Sequence, residues 1–345
     1  MDLQIALILG QDGITNGSIY ALLALALVLV FAVTRVIFIP QGEFVAYGAL
    51  TLAMMVNGNV PATVWLLIVA GVAVAVIDGY EAFKAGQNRR LPAIFGVNIA
   101  YPLVLLGALK MLPLAEMPLA LQVLATLLVV VPMGPMMYRL VYQPIAEAPV
   151  LVLLIVSVAA HVAMVGLGLV FFGAEGYRTP PFSEARFELG PMMISGQTIW
   201  VVLASLVLIF ALALFFGRTL YGKALRATAI NRTGARLMGI SPALAGKLTF
   251  FLAALIGVLS GVLISPITTI YYDTGFLIGL KGFVGAIIGG LASYPIAAAG
   301  AVLVGLLEAF SSFWASAYKE VIVFTLIIPV LLWRSLKSHH LEEEE

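Results

Sequence analysis

The chain contains no cysteine, only three histidines and few charged residues. Without cysteine it can form no disulfide, no thiolate metal site and no cysteine nucleophile. His161, His339 and His340 are too few to build a metal cage across a membrane. Lys, Arg, Asp and Glu make up 10% of the 345 residues, whereas a soluble globular protein is about a quarter charged. A net charge of +1 gives no support for nucleic acid binding.

Motifs for nucleotide binding and for catalysis are missing as well. The sequence contains no G-x-x-x-x-G-K-[ST] phosphate loop and no H-E-x-x-H zinc motif. No nucleophile and base pair is identifiable beyond scattered serines. We therefore expect no cofactor in this chain and no enzymatic activity of its own.

Long apolar runs dominate the sequence, with 62% apolar residues and a mean hydropathy of +1.11. A membrane-spanning helix needs roughly 20 apolar residues, and a spanning segment must satisfy its own backbone polar groups. We predict an all-α, polytopic transmembrane helical bundle of about 8–11 segments, some broken or re-entrant. Met1–Leu9 lacks a basic stretch, so no cleavable signal peptide is expected. The predicted segments are 13–36, 44–56, 62–77, 95–112, 119–137, 150–173, 197–217, 248–264, 276–291, 297–315 and 320–334, of which 44–56 and 276–291 are short enough to be half-helices.

Positive charge is distributed unevenly among the loops. Segment 218–247 has six Lys or Arg and no acid, and placing it in the cytoplasm puts thirteen of the 18 basic residues inside and four outside. Cytoplasmic loops are enriched in Lys and Arg, so this orientation is the predicted one. It places the mixed-charge loop 174–196 outside and the tail 335–345 in the cytoplasm.

The basic segment carries the signals of a short helix in "RATAINRTGARLMGISP". Asn231 suits an N-cap, Gly239 a left-handed C-terminal position, and Ser241-Pro242 the start of another helix. These signals predict a helix over 232–238 that is too short to be stable alone. Two interpretations stay open at this point: a loop held against anionic lipid headgroups, or a docking helix for a soluble acidic partner.

Four stretches occur in an order typical of one family. They are "NGSIYAL…PQGEFVAYGA" (16–49), "YRLVYQPI" (138–145), "GKALRATAINRTGARLMGISPALAGK…GVL" (222–263) and "GLKGFVGAIIGGLASYP…FSS" (279–312). Together they resemble the branched-chain amino acid (LIV-type) permease family of ATP-binding-cassette (ABC) importers, in the subunit type with the NGSIYAL and GEF patterns. The resemblance covers residues 13–56 and about 119–334.

This resemblance implies a single transmembrane permease domain, 1–345, in the bacterial inner membrane. A second permease, paralogous or identical, would complete the translocation pathway, and two cytoplasmic ATPases would bind ATP and Mg and dock at 218–247. A periplasmic substrate-binding protein would dock on the outer face, where loop 174–196 suits a polar contact. The docking residues so implied are Arg226, Ala229, Asn231, Arg232, Gly234, Ala235, Arg236, Leu237 and Gly239, and the candidate translocation path comprises Asn16, Tyr20, Gly42, Glu43 and Glu308.

Departures from the family pattern bear on the substrate. Phe38, Pro40 and Gln41 stand where the family usually has Asn, Ala and His, and Ile230 replaces an acid in the docking loop. The solute that the resemblance implies is therefore a branched-chain amino acid, another amino acid or a related small polar molecule. Residues 62–112 look like an extra helical pair.

Ionisable residues within predicted spans are candidates for function because each is costly in hydrocarbon unless paired or facing water. Glu43 follows a Pro-Gln-Gly break, where it could cap a half-helix or contact solute. We expect Lys281 to extend to the membrane interface and His161 to be a satisfied core residue. Glu308 has Ser311 and Ser312 within hydrogen-bonding reach on its own helix, and we expect it to make a packed polar contact between helices.

One alternative function remains, a secondary transporter or channel working alone. It would need relays of buried carboxylates or histidines, and few ionisable residues lie within the spans. The pairs Gly257/Gly261 and Gly285/Gly289 have the spacing that permits close helix packing, as expected in a bundle that packs against a second subunit.

Overall fold

The computed structural model describes residues 3–189 and 192–342, which are almost entirely helical. Within loop 174–196, β1 (Arg186–Leu189) and β2 (Met192–Ser195) form an antiparallel hairpin that the sequence did not predict. The α-helices are α1 (Leu3–Thr34), α2 (Gln41–Val56), α3 (Thr63–Lys84), α4 (Leu91–Phe95), α5 (Tyr101–Met111), α6 (Leu119–Val130), α7 (Met133–Met137), α8 (Val150–Phe172), α9 (Gly196–Arg218), α10 (Leu220–Ile230), α11 (Arg232–Leu237), α12 (Pro242–Ile264), α13 (Thr274–Ile288), α14 (Tyr294–Trp314), α15 (Lys319–Thr325) and α16 (Ile327–Glu342).

Short helical turns join some of these helices into longer runs. The π-helical turns are Gly96–Ala100 and Tyr138–Tyr142, and the 3-10 turns are Asn88–Arg90, Leu114–Glu116, Gln143–Ile145 and Ser316–Tyr318. In the described part of the chain, nine runs are long and apolar enough to cross a membrane. They are Leu3–Thr34, Thr63–Lys84, Asn88–Met111, Leu119–Ile145, Val150–Phe172, Gly196–Arg218, Pro242–Ile264, Tyr294–Trp314 and Ser316–Trp333.

The prediction of a polytopic helical membrane bundle is confirmed. α2 with 16 residues and α13 with 15 residues are too short to cross a bilayer at a rise of about 1.5 Å per residue. These two helices correspond to the short predicted segments 44–56 and 276–291. The bundle therefore combines full spans with shorter helices.

The core lies where α1, α2, α12, α13 and α14 pack together. α2 is surrounded on all sides, and its residues from Gln41 to Ala53 are all buried. Glycines allow this density: a Cβ on Gly261 would lie 2.1 Å from the carbonyl oxygen of Val45. The predicted close approach through the Gly257/Gly261 pair is thus present between α12 and α2. The outward faces of α8 and α9 stay exposed in the single chain.

The connection between α1 and α2 returns into the bundle. Arg35 adopts φ 62° at the end of α1, and the following Val36 and Phe38 are buried. Gln41 then begins α2, and its Nε2 donates to the carbonyl oxygen of Ala253, 3.0 Å away and halfway along α12. Non-helical backbone at such depth is tolerated where protein surrounds it. The start of α2 therefore lies near the middle of the bundle.

The first turn of α13 meets the first turn of α2 at this level. A Cβ on Gly42 would lie 2.0 Å from the carbonyl oxygen of Gly275, and one on Gly275 would lie 2.4 Å from the carbonyl oxygen of Gly42. Gly279 is also close to Gly42. The two short helices thus cross backbone to backbone, with both N-termini deep in the bundle.

The remaining loops collect at two opposite ends. At the end called here the basic end, the guanidinium of Arg232 donates to the carbonyl oxygen of Ala146, which brings 218–247 against 143–149. At the other end, the hairpin end, Tyr177 pairs with Ile270 next to the β1–β2 hairpin. Residues 62–112 form a helical hairpin of α3 against α4 and α5; that it is an addition to the family core stays a prediction. Of the predicted tail 335–345, α16 continues to Glu342, and 343–345 lie outside the described residues.

Candidate functional site

A buried ionic cluster connects α1, α13, α14 and α15 and is called here the Lys281 cluster. The ammonium of Lys281 lies 2.6 Å from Glu308 Oε1 and 3.1 Å from Glu320 Oε1. The hydroxyl of Tyr20 donates to Glu308 Oε2 at 2.6 Å. Both oxygens of Glu308 are thus occupied, and removing one member would leave a buried charge without compensation.

The expectation for Lys281 was wrong, and that for Glu308 was right except for its partners. Lys281 does not reach an interface, because it is 5% exposed and forms ion pairs inside the bundle. Glu308 does make a packed contact between helices, but its partners are Lys281 and Tyr20 and not the nearby serines. Helix periodicity identifies neighbours on the same helix, whereas these partners belong to other helices.

A second polar cluster, called here the Glu43 site, lies at the crossing of α2 and α13. Glu43 is 0% exposed and occupies the first turn of α2, as predicted for a half-helix N-terminus. Its Oε1 lies 2.9 Å from Nδ1 of His161 on α8. The imidazole stacks on Phe276 of α13 with ring centroids 4.5 Å apart. His161 is therefore satisfied, as expected, and its partner is Glu43.

The predicted translocation residues divide between these two clusters. Tyr20 and Glu308 are hydrogen-bonded in the Lys281 cluster, with half-buried Asn16 one helical turn before Tyr20. Gly42 and Glu43 lie together at the α2–α13 crossing. The structure therefore presents two separate polar positions within the bundle.

At the basic end, the predicted helix signals of segment 218–247 are present. The side-chain oxygen of Asn231 accepts from the Gly234 amide at 2.8 Å and caps α11. Gly239 has φ 83°, the left-handed conformation expected after a helix. Ser241 caps α12 with Pro242 in its first turn. α11, Arg232–Leu237, is one residue shorter than predicted.

A groove of about 750 Å³ lies beside α11. The groove lies between residues 143–149 and the start of α12, and basic, acidic and amide side chains line it. Among the residues that line it are Tyr138, Gln143, Glu147, Arg232, Arg236 and Ser241.

The predicted docking residues differ in their accessibility. Leu237 is 83% exposed, as is its neighbour Met238, and Arg226, Arg236 and Gly239 are exposed too. Ala235 is 5% exposed because it packs against the chain itself, so its side chain is not part of this surface. A Cβ on Gly234 would lie 3.1 Å from the capping amide of Asn231. The space beside Gly234 is therefore filled by the chain itself and is not part of this surface either.

Comparison with known proteins decides the family. Residues 92–331 match the family model described as "Branched-chain amino acid transport system / permease component". The chain belongs to this permease family.

Curated relatives of the permease share its full extent. The high-affinity branched-chain amino acid transport system permease protein BraD of Pseudomonas aeruginosa is 27% identical over 94% of this chain and 92% of its own length. The LivH proteins of Escherichia coli K12 and Salmonella typhimurium are 24% and 25% identical, each over 93% of this chain and 91% of their own. No solved structure matches the permease. As a member of a transport family, the chain is a membrane permease subunit and not an enzyme.

One ionic group in the permease was not identified from the sequence. Arg139 lies 2.5 Å from Asp78 and 2.7 Å from Glu81, and Lys247 lies 3.6 Å from Asp78. The Arg139 contacts fasten the hairpin of residues 62–112 to the Tyr138–Tyr142 turn, and the Lys247 contact fastens it to the start of α12. The available signal was the pair of acids spaced one helical turn apart near the basic end of α3, in "DGYE".

Proposed function

We propose that this permease forms, with a second permease, the translocation pathway of an ATP-driven importer in the bacterial inner membrane. The names of its relatives support branched-chain amino acids as the solute class, and the substitutions at Phe38, Pro40 and Gln41 leave other amino acids or related polar solutes within the proposal. Two partner ATPases bind ATP and Mg at the basic end, which is cytoplasmic together with the C-terminus. A periplasmic binding protein docks at loop 174–196.

The observation that carries ATPase docking is the construction of α11. A six-residue helix is unstable alone, yet α11 is capped by Asn231, buried on one side through Ala235, and tied to residue 146 by Arg232. At its C-terminal end, Leu237 and the following Met238 are exposed. The helix is thus fixed to the permease and offers an apolar contact to a second protein.

Fixation to the body of the permease lets α11 act as a lever. Closure of the ATPase pair on ATP would push α11, and the push would pass to α12, which starts at Pro242 and packs against α1 and α2. Such coupling requires contacts that differ between the inward-facing and outward-facing states. A loop that only adheres to lipid headgroups would respond to charge and not to the shape of this surface.

The test distinguishes ATPase binding through the apolar side chains of α11 from binding through positive charge. In detergent, Leu237→Ala with Met238→Ala should reduce co-purification of the ATPases about tenfold or more and stop ATP-dependent uptake, because buried apolar anchors dominate protein interfaces. The matched control is Leu220→Ala, which removes an equally exposed leucine, at 83%, from α10 of the same segment. A second control, Arg89→Gln with Arg90→Gln, removes two exposed charges from the basic end.

Both controls should bind the ATPases normally. Normal ATPase binding and uptake after the Leu237 and Met238 changes would return the segment to a lipid-binding role. Gly234→Leu is a poorer test because its side chain would displace the Asn231 cap. Uptake by the isolated permease driven by an ion gradient would contradict the importer altogether.

A further inference from the structure

We propose that the Glu43 site binds the ammonium group of the solute during translocation, with Glu43 as the contacting carboxylate. The inference rests on the proposed function and assigns a residue and a chemical group to it. Three residues on three helices make up the site: Glu43 on α2, His161 on α8 and Phe276 on α13.

The first reason is an oxygen without a partner. Glu43 is 0% exposed, its Oε1 is paired with His161, and its Oε2 has no hydrogen-bond partner among the described residues. A buried carboxylate oxygen normally has a donor, because its desolvation is otherwise uncompensated. Oε2 is therefore available to a donor from outside the described part of the chain.

The second reason is the backbone around the site. α2 and α13 both begin near the middle of the bundle, and their first turns cross at Gly42 and Gly275. Broken helices that place their ends at mid-membrane are the usual construction of solute sites in transporters. If this crossing only filled the core, two full-length membrane-spanning helices would pack there equally well.

The third reason is the way the site opens. His161 is 13% exposed on α8, beside Val158 and Val162 on the outward face of that helix. Asp273, the residue just before α13, is exposed three positions before Phe276. Polar groups of this kind at membrane depth face a water-filled passage or protein and not acyl chains. The seam between α8 and α13 is therefore the side of this chain that lines the pathway.

The chemistry of the site selects the group that binds. Glu43 Oε2 is an acceptor, and the Phe276 ring presents a π-face that attracts cations. A neutral imidazole whose Nδ1–H donates to Glu43 presents Nε2 as an acceptor too. A ligand here must donate hydrogen bonds and is favoured by positive charge, which describes a primary ammonium.

The Lys281 cluster does not compete for this role. Lys281 already provides the ammonium there, and both oxygens of Glu308 are occupied by Lys281 and Tyr20. That cluster holds α1, α13 and α14 together. The Glu43 carboxylate differs, because an imidazole contacts one oxygen and no donor of the described residues contacts the other.

The first experiment uses the absence of cysteine from the chain. Phe276→Cys places one thiol in the site, and the assembled transporter is treated with 2-aminoethyl or 2-sulfonatoethyl methanethiosulfonate, with labelling of the permease read by mass spectrometry. We expect the cationic reagent to react about tenfold faster, an electrostatic preference of about 1.4 kcal/mol, and leucine to slow it. The preference should disappear in a Glu43→Gln background. Val170→Cys, an exposed position on the opposite side of α8, nine residues after His161, is the control that leucine should not protect.

The second experiment measures transport in proteoliposomes with both permeases, the ATPases and the loaded binding protein. Glu43→Gln keeps the size of the side chain but removes its charge, so leucine uptake per ATP hydrolysed should fall about tenfold to a hundredfold, as for the loss of a charge-assisted hydrogen bond. Glu43→Asp should recover part of it. Glu116→Gln, an exposed acid at the hairpin end, should behave as wild type.

The outcomes separate this inference from the proposed function. An importer that moves leucine normally after Glu43→Gln, or a Phe276→Cys variant whose thiol reacts with neither reagent, overturns the ammonium site and leaves the importer standing. A wild-type complex without ATP-dependent uptake overturns the proposed function itself. If Glu43→Gln does not assemble, the labelling of Phe276→Cys and its protection by leucine decide alone.

Discussion

The crossing of α2 and α13 predicts a severe effect of one added methyl group. In Gly42→Ala the new Cβ would lie 2.0 Å from the carbonyl oxygen of Gly275 and 3.1 Å from the Cα of Gly279. Ordinary contact begins near 3.4 Å, so the two helices must separate by about 1.4 Å. The obstructing atoms are backbone, so no rotamer change can relieve the overlap.

The size of this effect follows from two contributions. Overpacking of a close-packed core costs about 1–3 kcal/mol, and separation of the helices also weakens dispersion contacts along the crossing. The matched control is Gly107→Ala in α5, where nothing lies within 4 Å of the added Cβ and alanine gains up to about 1 kcal/mol of helix propensity. The two variants should therefore differ by about 2–4 kcal/mol in the free energy of unfolding.

The assay measures the apparent melting temperature of the detergent-purified permease from the size of the monodisperse peak that remains after heating. Gly42→Ala should melt several degrees below wild type, and Gly107→Ala at or above it. Equal melting temperatures of the two variants would show that the crossing can accommodate the added methyl group, which would contradict the structure.

Two further predictions concern charged groups. Lys281→Met should lower the free energy of unfolding by about 3–5 kcal/mol because it leaves Glu308 buried without its cation, and Lys281→Met with Glu308→Leu should recover much of the melting temperature; a double variant no more stable than the single one would contradict the pairing. Arg186→Glu, on exposed β1, should weaken stimulation of ATP hydrolysis by the loaded binding protein and leave basal hydrolysis intact, whereas Lys110→Glu at the same end should not; unchanged stimulation would move that contact elsewhere.

Arg178 is unsuited to the second of these tests. Its guanidinium donates to the carbonyl oxygens of Pro266 and Ile267 and so holds the loop between α12 and α13. Reversing its charge would disturb the fold of the hairpin end together with any binding surface.

Features whose partners are close in sequence were predictable. Asn231 caps an amide three residues away, and Gly239 and Ser241 act within one turn of their own positions. The lengths of the apolar runs were enough to predict that α2 and α13 are half-helices. Each of these signals depends on backbone geometry that a few neighbouring residues determine.

Partners distant in sequence could not be assigned in this way. Glu43 and His161 are 118 residues apart, and Lys281 and Glu320 are 39 residues apart. Periodicity shows which side of a helix is polar but not which helix packs there. Lys281 was therefore predicted to extend to the interface, although an acid on α14 and one on α15 surround it.

The buried start of α2 has a consequence for biosynthesis. Gln41 depends on Ala253, 212 residues later, for its side-chain hydrogen bond, and translation at about 5–20 residues per second supplies that residue only after about 10–40 s. During this interval a helix too short to remain in the bilayer alone has none of its eventual neighbours from α12 or α13. The membrane-insertion machinery must therefore shield the nascent α2 segment from lipid until most of the polypeptide has been made.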